Sequence, residues 1–163
     1  MKYVCQASDN LKLKNTILFW SSQIAILKNK FKFDVSFRVK HPSVDPDQLS
    51  TKLGLLAHRK WRAGDQRKTP KGELLGGIYK ESYLSCRITH EKSDDLAKVI
   101  RETTLRLSTH KELLRELSMT GGKLEYFIGW YSSGNSGEEF DALLLKEAAE
   151  LGIGLSFDFY GGQ

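Results

Sequence analysis

The chain is poor in the residues that usually anchor chemistry. It has two cysteines, Cys5 and Cys86, far apart in sequence. They form neither a CxxC pair nor a disulfide framework, which points to a reducing, cytoplasmic setting. The four histidines, His41, His58, His90 and His110, show no HxH, HxxxH or HExxH spacing. Each is expected at the surface, and no metal is expected. A Gly-x-Ser-x-Gly elbow, a Walker loop and a dinucleotide glycine loop are all missing, so no cofactor is expected either. Cys86 falls on the apolar side of an expected strand, where a thiol is a packing residue rather than a nucleophile.

Long hydrophobic runs are also lacking. The most apolar stretch, residues 15–27, is broken by Ser21, Ser22 and Gln23. It is shorter than the ~20 residues of a membrane-spanning helix. It ends in Leu27-Lys28-Asn29-Lys30 rather than in a small-residue cleavage site. Residues 1–30 therefore read as an extension packed on the domain or a tail outside its core, with a membrane-surface or partner-binding helix as the alternative. They carry Lys2, Lys12, Lys14, Lys28 and Lys30 against Asp9, and so hold +4 of the net +5. The basic balance belongs mainly to that segment and argues weakly for a polyanion partner of the domain itself.

Residues 31–163 are sufficient for a single α+β domain. Phe31, Phe33, Val35, Phe37 and Val39 alternate with Lys32, Asp34, Ser36, Arg38 and Lys40, the pattern of a half-buried strand. Asp45-Pro46-Asp47-Gln48 opens a helix running to about Ala57, through Leu49, Leu53 and Leu56. Residues 58–76 are polar, basic and rich in turn formers. A strand is expected over 81–89. A helix then starts at Ser93-Asp94-Asp95, followed by another whose capping box is Thr109–Glu112 and which Gly121-Gly122 stops. Residues 124–131 are apolar on both sides, as in a central strand covered on both faces. Ser136–Glu139 forms a third capping box before a helix, and Gly152 precedes a last strand over 153–160. This order resembles two split βαβ units, giving a ferredoxin-like four-stranded sheet with helices mainly on one face. The connection between the second and third strands is expanded into helices. The other face is left partly open unless residues 1–30 or a partner covers it.

The run from Leu53 to Gly72 joins a helix end to a basic stretch with Gly64-Asp65, Thr69-Pro70 and Gly72. Gly121-Gly122 before an apolar strand, Asn135-Ser136-Gly137 before a helix, and the ending Leu155–Tyr160 follow in order. Together these resemble the bacterial family catalogued as domain of unknown function 4279, over about residues 31–161. Tyr83 stands where the resemblance leads one to expect Trp. The resemblance brings no settled activity with it.

The segment His58–Gly72 carries Arg59, Lys60, Arg62, Arg67, Lys68 and Lys71 against Asp65, with Trp61 among them. An aromatic flanked by cations suits base stacking with phosphate contacts. Turn chemistry at Gly64-Asp65 and Thr69-Pro70, with Trp61 covering the core and the cations paired to acids of 138–163, explains the same residues structurally. Asp158 is expected to pair with Arg62 or Arg67. With Tyr160, Trp61 and Asp65 it could line a small pocket for an anion. Three functions follow. The first is a non-catalytic protein-interaction module, immunity-like by analogy, binding another protein through the sheet face or the basic loop. The second is a nucleic-acid binder using that loop. The third is an anionic-ligand site between the loop and the last strand.

Overall fold

The computed structural model describes residues 31–88 and 95–161. Strand β1 (Lys32–His41) is followed by helix α1 (Pro46–Leu53), strands β2 (Ala57–Trp61), β3 (Gln66–Lys68), β4 (Leu74–Ile78) and β5 (Ser82–Arg87). Helices α2 (Leu96–Ser108) and α3 (Lys111–Met119), strand β6 (Lys123–Ser132), helix α4 (Ala142–Glu150) and strand β7 (Ile153–Gly161) complete the domain. The expectations for residues 1–30, for Ser93 and Asp94 at the start of α2, and for His90 lie outside the described residues. Among the described residues, no helix is long and apolar enough to cross a membrane.

The alternation in β1 does what its period requires. Phe33, Val35, Phe37 and Val39 are buried, while Lys32 and Asp34 on the other side are exposed. β1 lies at the centre of a five-stranded sheet of order β2-β5-β1-β6-β7, antiparallel to both neighbours. Val39 aligns with Leu84 and Leu124, and Phe37 with Cys86 and Tyr126, so one face of three strands is apolar. That face meets Leu96, Val99, Ile100 and Leu107 of α2, Leu114 of α3 and Leu144 of α4 in a single core. Tyr126 is fully buried, and its hydroxyl bonds Thr104 Oγ1 at 2.9 Å, so the one polar atom of the ring is satisfied.

The α+β class holds, but the four-stranded ferredoxin-like arrangement is not what forms. A split βαβ unit leaves a gap between its parallel strands for a third strand. Here β1 and β5 are direct antiparallel neighbours. β6, α4 and β7 form a parallel crossover with no strand inserted. The fifth strand, β2, comes from the segment expected to be turn. Side chains at its centre are exposed, so it carries no apolar period to read. β3 and β4 form a separate two-stranded hairpin. β6 is an interior strand, paired with β1 on one side and β7 on the other. Among the described residues its second face is covered by side chains of the sheet itself: the Arg38 guanidinium lies 3.3 Å above the Phe127 ring, and Tyr131 packs over Gly129.

Caps decide the helix ends. Asp45 accepts from the backbone N–H groups of Asp47 and Gln48, with Pro46 at the first position. Gly54, at φ 62°, ends α1 three residues before Ala57, where the expected helix has become strand. Asp95 caps α2 by accepting from the Lys98 N–H. The other two capping boxes do not form. Thr109 Oγ1 donates to the Arg106 carbonyl instead. α4 starts later, capped by Asp141 accepting from the Leu144 N–H at 2.9 Å. Ser136 Oγ takes the Trp130 indole N–H at 3.0 Å. A large core truncation and the loss of one satisfied hydroxyl should therefore differ clearly. Phe37→Ala is expected to cost about 3–5 kcal/mol and Tyr126→Phe about 1 kcal/mol. Urea unfolding of the two variants measures both, and equal costs would contradict this core.

Candidate functional site

β2 ends in Trp61, and the chain then leaves the sheet as the β3–β4 hairpin. At the hairpin base, Gly64 at φ 87° donates to the Tyr79 carbonyl, and Tyr79 donates back to the Asp65 carbonyl at 2.9 Å. The Asp65 carboxylate accepts from the Arg62 backbone N–H, so Asp65 is a turn residue. At the tip, Gly72 donates to the Thr69 carbonyl at 2.9 Å. The Trp61 ring stacks on Tyr79 at 4.6 Å and on Tyr83 at 4.3 Å, tying hairpin, β2 and β5 together. Tyr79, a lone tyrosine between two turns, carries no periodic signal in the sequence.

The cations divide into two groups. Arg62 reaches Asp45 at 2.8 Å and Asp47 at 3.2 Å, and Lys60 also binds Asp47. The acids that take the basic segment are therefore those at the start of α1, not those of 138–163. Hydrogen bonding from Lys60, joined by the charge of Lys60 and by the hydrogen bond and charge of Arg62, holds the Asp47 carboxyl below its ordinary range against an opposing desolvation. Arg59, Arg67, Lys68 and Lys71 remain exposed. A cleft of about 690 Å³ lies between β2 and the hairpin, lined by Arg59, Lys60, Trp61, Lys68 and Tyr79. A second, of about 620 Å³, reaches from Trp61 and Tyr79 to Arg67, Ile78 and Gly121.

Trp61, Arg62, Asp65 and Arg67 are thus gathered at one edge of the sheet. Asp158 and Tyr160 sit on β7 at the opposite edge. Four inter-strand steps separate the edges, roughly 19 Å, so no pocket joins the basic segment to the last strand. Asp158 does not pair with Arg62 or Arg67. It accepts from the Tyr160 hydroxyl at 2.5 Å, which raises the Tyr160 pKa. Tyr160 in turn stacks on Tyr131 at 4.7 Å.

His41 corrects another expectation. It is buried rather than at the surface: Nδ1 accepts the N–H groups of Ser43 and Val44, and Nε2 meets Thr120 Oγ1 at 2.9 Å. It continues the inward parity of β1 and closes the end of the strand. Cys86 is fully buried as expected, and burial pushes its thiol up to about 11. Among the described residues no group of three His, Cys, Asp or Glu could hold a metal ion.

A mixed α+β sheet with helices packed on one face and a basic hairpin at one edge is the class of domain that emerges. The chain belongs to the family described as domain of unknown function (DUF4279), whose model matches residues 29–162. No curated protein and no solved structure matches it.

Two outcomes test this local chemistry. In a Cys5→Ser background at pH 8, Cys86 should resist iodoacetamide in the folded protein and react fully in urea; rapid native labelling would contradict its burial. Asp47 should titrate below the ordinary carboxylate range by carbon NMR, and Lys60→Met with Arg62→Met should move it up. The linkage sign follows. A depressed folded pKa adds stability that is present above the unfolded value and lost as pH falls through the folded one.

Proposed function

We propose that this domain is a non-catalytic protein-interaction module whose partner docks on the β3–β4 hairpin and the adjoining β2 edge. One observation carries the reading. Every residue of β4 is exposed, with Leu74 at 70% and Ile78 at 57%, on a hairpin that stands apart from the main sheet. A two-stranded hairpin is marginal in water without a packed face. Apolar side chains left on such an arm are better accounted for by a surface that covers them on binding. The exposed cations Arg67, Lys68 and Lys71 on the arm, with Arg59 beside it over the Trp61 ring, select a partner with an acidic contact surface. An immunity-like role, in which that partner is a harmful protein held inactive, is the finer form of this proposal. A cytoplasmic setting suits the buried free thiol of Cys86.

The nucleic-acid reading draws support from the same cations. It needs an open aromatic face for a base, whereas the Trp61 ring is already engaged by Tyr79 and Tyr83. That favours the protein partner.

The test is affinity capture of the tagged full-length chain from its own host, beside a Leu74→Asp, Ile78→Asp variant. The expected outcome is a stoichiometric, nuclease-resistant protein partner that the variant loses while its circular dichroism is unchanged. Retention of the same partner by the variant, or recovery of nuclease-sensitive material alone, would overturn the proposal.

A further inference from the structure

Exposed sheet edges invite strand addition, and proteins block them with charge, bulges or proline. The two edges of this sheet are treated differently. β2 carries His58, Arg59 and Lys60 and a register shift between Ala57 and Arg59, so it is guarded. β7 has nine residues, no proline, an unbroken register against β6 along its whole length, and one charge, Asp158. Among the described residues nothing pairs with its outer edge. Two aromatic rings, Phe157 at 37% and Phe159 at 68% exposure, stand on its helix-side face, stacked at 5.8 Å.

The sequence of β7 is complementary to itself. An antiparallel pair of copies centred on Phe157 aligns all nine residues, Ile153 against Gly161. On the helix side Phe157 then meets its own copy and Leu155 meets Phe159. On the other side Ser156 meets Asp158, and Gly154 meets Tyr160. Asp158 faces Ser156, whose hydroxyl already donates to Glu125 at 2.8 Å, a bulky ring faces a glycine, and no like charges are directly opposed. Moving the centre one residue onward would set Asp158 against Asp158 and leave residues unpaired. α4 adds to the same side. Its Glu147 pairs with Arg101 of α2, and Leu145, two residues away, projects to the opposite side of the helix and is exposed.

We propose that β7 joins two copies of this chain into a two-fold dimer with a continuous ten-stranded sheet, in the antiparallel register centred on Phe157. The isologous contact uses each edge residue twice, and both sheets keep their helices on the same face. The hairpin edge stays at the outer end of each copy, so the dimer presents two equivalent partner surfaces.

Sedimentation of the full-length chain tests the proposal. A species of twice the 18.5 kDa chain mass is expected, and Phe159→Lys should be monomeric at the same concentration with unchanged circular dichroism. In the Cys5→Ser background, Phe157→Cys should oxidise to a disulfide-linked dimer, because the centred register sets residue 157 against itself. Tyr160→Cys, opposite Gly154, should not. A monomeric native chain, a dimer that survives Phe159→Lys, or crosslinking at 160 in place of 157 would each overturn it.

Discussion

The fold depends on one two-faced strand. β1 is hydrogen-bonded on both sides, and its alternation of Phe33, Val35, Phe37 and Val39 with Asp34, Ser36, Arg38 and Lys40 fixes which way each neighbour must face. A slip of one residue against β5 or β6 would turn the phenylalanines to the open side and Arg38 into the core. With the register fixed, Leu84, Cys86, Tyr126 and Ile128 join the same apolar surface, and the helices have one face to cover. The order of the outer strands follows from this centre. β2 pairs with β5 at one edge and β7 with β6 at the other.

The edges then acquire different chemistry. At the β2 edge, acids at the start of α1 take up Lys60 and Arg62, and the aromatic stack on Trp61 holds the hairpin base. Arg67, Lys68 and Lys71 are exposed on an arm with exposed leucine and isoleucine. At the β7 edge, the core thins towards the end of the strand. Phe31 stacks on Trp130 at 3.8 Å, but Phe159 is left largely open. The acidic partner proposed above would meet the cations of one edge, and the second copy proposed above would meet a strand whose one charge is Asp158.

Much of the fold is legible in the sequence where a face is buried. β1, β5, β6, β7 and α2 declare themselves through period 2 or 3.6, and Asp45-Pro46 marks the start of α1, whereas its end at Gly54 falls short of the expected Ala57. β2, β3 and β4 do not, because their side chains are largely solvated and neither period survives. The sheet order is also hidden. The same four alternating strands satisfy a ferredoxin-like order and the observed one, and the choice between them is made by long-range pairing. The capping motifs at Thr109 and Ser136 match a local pattern, but each side chain finds a better partner in Arg106 and Trp130. Of the candidate site, Trp61, Arg62, Asp65 and Arg67 lie close in the chain and stay close in space. Asp158 and Tyr160 depend on the unseen strand order, and so they lie across the sheet.

Hydrogen exchange of the full-length chain at amide resolution tests the central claim, that a rigid sheet centred on β1 presents a hairpin that is not part of its core. Amides of β1 and β6 should exchange only by global unfolding, and those of β3 and β4 by local opening several orders of magnitude faster. Hairpin amides protected to the level of β1 would mean that Leu74 and Ile78 are already covered in the free protein, and would contradict the account.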